Sequence, residues 1–203
     1  MHLILVRHAR PVEVTAVDAG RADPSLSDEG HEQAARVAAA LGWIGVDALY
    51  ASPLRRARET AEPTATACEM EVTVDECLLE LDNALGMYAP DDQLDAHSEL
   101  AEAYFKGDWS GISSESPEEF VGRVCSGLDG IVQRHRGQTV AVFTHGGVIS
   151  AWVAGVVGAE RFPITWFLSD YGHLNRFATQ GCARTRIMAL NERPLLNLDQ
   201  KTV

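Results

Sequence analysis

Short apolar runs alternate with amphipathic stretches along this chain, and that alternation most restricts what it can fold into. Residues 3–6, Leu-Ile-Leu-Val, form an unbroken apolar run expected to be a strand buried on both faces. Residues 47–51, 71–74, 139–144, 173–179 and 184–190 read as further strands. Between them, Ser27 is placed to cap a helix with Asp28 and Glu29 in its first turn and Ala34, Val37, Ala38 and Leu41 at helical spacing. Ser52 and Pro53 read as the cap and first position of a helix reaching Cys68. Ser116-Pro117-Glu118-Glu119 is a capping box opening a helix that ends near Gly137, and Gly146-Gly147 leads into a helix over 148–157. Strands alternating with helices predict an α/β fold: a three-layer α/β/α sandwich with a mostly parallel central sheet. Residues 81–115 break the pattern. They are acidic and aromatic, and are expected to form a small cap insertion, with one helix over 94–105, in a single domain spanning 1–203.

With 203 residues the chain fits one domain, and its size needs no disulfide or metal staple. The 17 basic and 29 acidic residues leave a formal charge of −12, a field that repels nucleic acid and anionic membranes. Neither is expected as a partner, and an anionic substrate would need a local cationic pocket. Cys68, Cys77, Cys125 and Cys182 are scattered without a C-x-x-C pair, which argues against zinc and gives no disulfide framework. His31-Glu32 lacks the second histidine of a zinc helix. The start of the chain lacks a signal-peptide pattern and no apolar run could span a bilayer, so a cytoplasmic protein is expected.

Three polar clusters follow predicted strands: Arg7-His8, Ser52 to Arg56, and Thr144-His145-Gly146-Gly147. Ligands of open α/β sheets bind at the carboxyl ends of strands, so the three clusters are expected to converge. They would assemble His8, His145, Arg7, Arg10, Arg55 and Arg56. Guanidinium forks match phosphate oxygens, and a neutral imidazole is a nucleophile toward phosphorus. Flanking cations disfavour imidazolium and neutralise charge that develops on the phosphoryl oxygens. A leaving alkoxide needs a proton, and Glu80, just after the third strand, is the best-placed acid, with Asp82 and Glu13 as competitors.

Four segments carry a family resemblance. Leu5-Val6-Arg7-His8-Ala9 resembles the R-H-G signature of the histidine phosphatase superfamily, the phosphoglycerate-mutase-like fold. The segment from Ser52 to Ala61 is similar to the S-x-x-x-R-A-x-Q-T-A stretch, Thr144 to Ile149 to T-H-G-G-V-I, and Leu26 to Ala34 to L-[ST]-x-x-G-x-x-Q-A. The resemblance implies that His8 forms a phosphohistidine, that Arg7 and Arg56 bind the phosphoryl oxygens, and that His145 donates to the same group. It also implies that Glu80, in a short L-x-E segment, protonates the leaving group, and that no metal or organic cofactor is needed. The expected activity is hydrolysis of a small phosphorylated metabolite. A mutase reaction and a non-catalytic phospho-ligand-binding role are the alternatives. Three positions depart from the family pattern: Ala9 replaces glycine, Arg10-Pro11 replaces an acidic or amide residue, and Val14 stands where an asparagine is common. Arg10 is therefore expected at the substrate rim, favouring a second anionic group. Oligomeric state is not legible in the sequence.

Overall fold

The computed structural model describes residues 1–14, 21–81, 88, 113–159 and 167–194. Six strands form one sheet: β1 (His2–Arg7), β2 (Ala48–Ala51), β3 (Val72–Val74), β4 (Thr139–Thr144), β5 (Leu174–Thr179) and β6 (Thr185–Glu192). Among the described residues four α-helices accompany them: α1 (Asp28–Ile44), α2 (Arg55–Cys68), α3 (Pro117–Arg134) and α4 (Gly146–Val157). The strand order is β3-β2-β4-β1-β5-β6. The pairs β2–β3, β2–β4 and β1–β4 are parallel, and β5 and β6 close one edge in antiparallel fashion.

Two-residue alternation sorts the strand side chains between layers. Leu3, Leu5, Val140 and Val142 point to one face, where Phe120, Val124, Leu128 and Ile131 of α3 and Val148 and Trp152 of α4 cover them. Ile4, Val6, Ala141 and Phe143 point to the other, under Val37 and Leu41 of α1 and Ala61 of α2. This is the expected three-layer sandwich. The helix after β1 and the helix after β4 therefore lie on opposite faces, although β1 and β4 are neighbours. That divergence opens a crevice beyond their carboxyl ends, where doubly wound sheets bind ligands.

Local chemistry fixes the helix starts. Ser27 accepts a hydrogen bond from the Gly30 N–H at 3.1 Å, and Ser116 and Glu119 complete the reciprocal capping box at 3.2 and 2.8 Å. The second helix corrects the expectation. It begins at Arg55 with Leu54 at its cap and no side-chain capping bond, because the Ser52 hydroxyl is engaged elsewhere. The cap insertion over 81–115, with its helix over 94–105, lies almost wholly outside the described residues. No helix among the described residues is long and apolar enough to cross a membrane.

Candidate active site

Strand register brings the predicted residues together. Arg7 of β1 pairs with Thr144 of β4, so His8 and His145 are the next residues of adjacent strands. The His8 N–H donates to the Thr144 carbonyl at 2.8 Å, and the two imidazole centroids lie 5.1 Å apart. Ala51 pairs with Phe143, which places Ser52 beside the same strand end. Arg56, in the first turn of α2, is 1% exposed, and Arg7 is 7% exposed. Two guanidiniums so deeply buried need a polar or anionic environment in the crevice.

The tautomer of His8 follows from its neighbour. Its Nδ1–H donates to the Ala9 carbonyl at 2.9 Å, which leaves the Nε2 lone pair available. Burial above all, then the charges of Arg56 and Arg7, holds the His8 imidazole well below its ordinary pKa, so it is neutral near pH 7. His145 is depressed for the same leading reasons, burial first and then Arg56. Its Nε2 lies 2.7 Å from Ser52 Oγ, which also receives the Leu54 N–H at 3.4 Å. In the tautomer suited to an anionic ligand, the hydroxyl donates its proton to Nε2. The ring proton of His145 then resides on Nδ1, a buried atom with no hydrogen bond to the described residues. A phosphoryl oxygen in the crevice would accept it.

Glu80 is anchored at the first turn of α4, the helix that His145 precedes as its N-cap. Its Oε2 accepts the Gly147 N–H at 2.8 Å and its Oε1 the Leu81 N–H at 2.9 Å. Thr144 Oγ1 donates to the Leu78 carbonyl at 3.0 Å, tying this segment to the end of β4. Of its two competitors, Glu13 is exposed and Asp82 lies outside the described residues.

Two tyrosines roof the crevice. Tyr88 places its ring 4.7 Å from the Arg56 guanidinium carbon, and Tyr171 stacks 4.1 Å from that of Arg7. Their hydroxyls meet at 3.1 Å, and the Tyr171 ring is 5.4 Å from that of His8. Val14 exchanges two 2.8 Å backbone hydrogen bonds with Tyr88, so the residue standing for the common asparagine positions the roof through its main chain. Ala9 needs no positive φ. Its N–H donates to Thr60 Oγ1, which donates in turn to the Arg56 carbonyl, linking the β1 loop to α2.

Sequence reasoning missed Tyr171 and misread Ser52. Tyr171 precedes Gly172, a positive-φ glycine before a strand, and that turn signal marked the position without indicating its contacts. Arg10 lies on the α1 side of Arg7, in a cavity of about 430 Å³ with Arg36, Arg193 and His173. Arg55 is exposed and pairs with Glu59 at 2.6 Å. No cluster of three or more metal-ligating side chains occurs among the described residues.

Two buried histidines set beside buried arginines, at the strand ends of a doubly wound sheet, fit the chemistry of phosphoryl transfer. The chain belongs to the histidine phosphatase superfamily (branch 1), whose family model matches residues 3–192. It is 32% identical over 169 residues to phosphoserine phosphatase 1 of Hydrogenobacter thermophilus, covering 78% of this chain and 77% of that protein. It is 29% identical over 169 residues, 79% of each chain, to the protein named probable phosphoglycerate mutase GpmB in Erwinia tasmaniensis. Among solved structures, a mutant phosphoserine phosphatase from Entamoeba histolytica bound to phosphoserine superposes with a TM-score of 0.76 at 20% identity, covering 96% of this chain and 99% of that one. A mycobacterial glucosyl-3-phosphoglycerate phosphatase superposes with a TM-score of 0.73 at 21% identity, covering 94% and 99%.

Proposed function

We propose that the protein is a phosphoric monoester hydrolase that cleaves a small phosphorylated metabolite through a phosphohistidine on His8, without a metal. The observation that carries this reading is the orientation of His8: a neutral ring, its Nδ1–H tied to Ala9, its Nε2 free, and two buried arginines beside it. Nε2 attacks phosphorus, and the bond from phosphorus to the ester oxygen breaks as the bond to nitrogen forms. Arg7, Arg56 and the His145 Nδ1–H hold the phosphoryl oxygens, where charge stabilisation dominates such transfers. Glu80 gives its proton to the departing oxygen. Water then attacks phosphorus, Glu80 takes the proton back, and the bond to Nε2 breaks.

Arg10 supplies the rim. In the cavity it lines, Arg7, Arg10, Arg36 and Arg193 outnumber Glu29 and Asp170, a local excess of positive charge in a chain of formal charge −12, and this favours a substrate with a second anionic group. Relatives named for phosphoserine and glucosyl-3-phosphoglycerate agree with such a class.

The test is hydrolysis of p-nitrophenyl phosphate in EDTA, wild type beside His8→Ala, with trapping of radiolabelled phosphate on the protein by an alkaline detergent quench. EDTA-resistant turnover is expected, falling roughly 1,000-fold or more in the variant, with acid-labile label on the wild type only. Undiminished turnover in His8→Ala would sink the reading. Label that survives until a hydroxyl acceptor is added would assign the mutase reaction instead.

A further inference from the structure

The crevice uses none of the four cysteines, yet two of them meet elsewhere in the fold. Cys125 lies on α3, and Cys182 opens the 3-10 turn Cys182–Arg184 between β5 and β6. Their sulfurs are 4.0 Å apart, although the residues are 57 positions apart in sequence. Asp129, one helical turn beyond Cys125, accepts the Cys182 N–H at 2.6 Å and pins the turn against α3. The third wall is Gly155 of α4. A Cβ there would stand 2.7 Å from the Cys182 sulfur and 2.9 Å from that of Cys125, so glycine makes the room in which the sulfurs meet. Cys182 also lines a cavity of about 720 Å³ with Asp129, Gln133 and Arg136, which gives a small oxidant a route in.

We propose that Cys125 and Cys182 form a redox dithiol that hydroperoxides close to a disulfide, stapling α3 to the β5–β6 turn. A disulfide bond is about 2.05 Å long, so the sulfurs approach by about 2 Å, within reach of side-chain rotation and a small shift of the turn. Cys182 leads chemically. Its side chain lines the cavity, whereas Cys125 is not among the lining residues, and the two thiols share one hydrogen bond at 4.0 Å. The Cys182 thiolate attacks the peroxide oxygen, the O–O bond breaks, and a sulfenic acid and water or alcohol result. Cys125 sulfur then attacks that sulfur, forming the S–S bond and releasing water. Two thiols are oxidised and one hydroperoxide is reduced.

Cys77 is unsuited to this chemistry. Burial, followed by Asp75, raises its thiol to about 12, and its side chain packs where a Cβ on Gly127 would fall. The pair lies far from the catalytic crevice, because antiparallel pairing places the end of β5 beside His2, at the opposite end of β1 from His8. The inference therefore does not depend on the phosphatase reading.

The experiment treats the folded, reduced protein with a small excess of hydrogen peroxide. Thiols are then counted under denaturing conditions, and a non-reducing peptide map is read by mass spectrometry. Loss of two of the four thiols, one cross-link joining Cys125 to Cys182 with two hydrogen masses missing, and full reversal by dithiothreitol are expected. Tm should rise by roughly 5–10 °C on oxidation. Cys125→Ser and Cys182→Ser should each abolish the cross-link. Gly155→Ala, which keeps both thiols, should slow its formation at least roughly tenfold. Four thiols remaining, oxygen addition without a cross-link, or a different pairing would overturn the proposal, and a cross-link without a rise in Tm would overturn its role as a staple.

Discussion

By donating to Nε2 the Ser52 hydroxyl favours the His145 tautomer with its proton on Nδ1, so it acts through the ring it positions. In Ser52→Ala the ring loses its partner and both neutral tautomers become available. A lost buried hydrogen bond of about 1–2 kcal/mol corresponds to roughly a tenfold fall in kcat with little change in KM, and Ser52→Thr should restore most of it. Steady-state kinetics on an aryl phosphate check this; a pure KM effect would mean that Ser52 shapes binding instead. Arg10 makes a different prediction. Its backbone N–H donates to Gln33 and its guanidinium stands 3.6 Å from Glu29, which fixes it against α1 at the edge of the Arg7 cavity. Arg10→Ala should raise KM several-fold for a phosphate ester bearing a carboxylate and leave p-nitrophenyl phosphate nearly unaffected. Equal losses on both would remove Arg10 from the rim. His8, Arg7 and His145 were legible because they stand beside strand ends in the sequence itself, and Arg56 because its segment resembles that of the family. Ser52 was visible too, but as a helix cap, since Ser-Pro before a helical stretch has that meaning locally.

At the scale of elements, the turn before β5 does more than reverse the chain. Gly172, at φ 68°, donates its N–H toward the Arg7 and His8 carbonyls at 3.1 and 3.3 Å, and the neighbouring Ser169 carbonyl accepts from Arg7 Nη1 at 2.6 Å. A Cβ on Gly172 would also lie 3.2 Å from the Gln33 Cβ. Gly172→Ala should cost about 1–2 kcal/mol, seen in the urea midpoint. It should also lower activity by displacing Tyr171 from Arg7. Unchanged stability and kinetics would show that the turn tolerates a side chain. Strands and capped helices were readable because period, caps and apolar spacing are local properties. Tyr171 was not, because its partners Arg7 and Tyr88 come from distant segments.

The whole molecule keeps two histidines neutral in its interior, and this couples folding to pH. Both pKa values are depressed, burial being the leading cause. As pH falls below about 6.5, the unfolded chain takes up protons on His8 and His145 that the folded chain refuses. Their contribution makes unfolding free energy rise with pH up to about 6.5 and level off above it. Urea midpoints between about pH 5 and pH 7, in phosphate-free buffer, should fall on acidification, with a shallower slope in His8→Gln. A variant slope equal to that of the wild type would exclude His8 as the coupled group.

The sequence by itself determined the alternation of strands and helices, the four family segments and the residues with phosphoryl chemistry, because these depend on spacing along the chain. It did not contain the β1–β4 register that sets two imidazoles 5.1 Å apart, the diversion of Ser52 from α2 to His145, or the meeting of Cys125 and Cys182. Those followed only from tertiary structure, because strand pairing and helix packing join segments that no local pattern links.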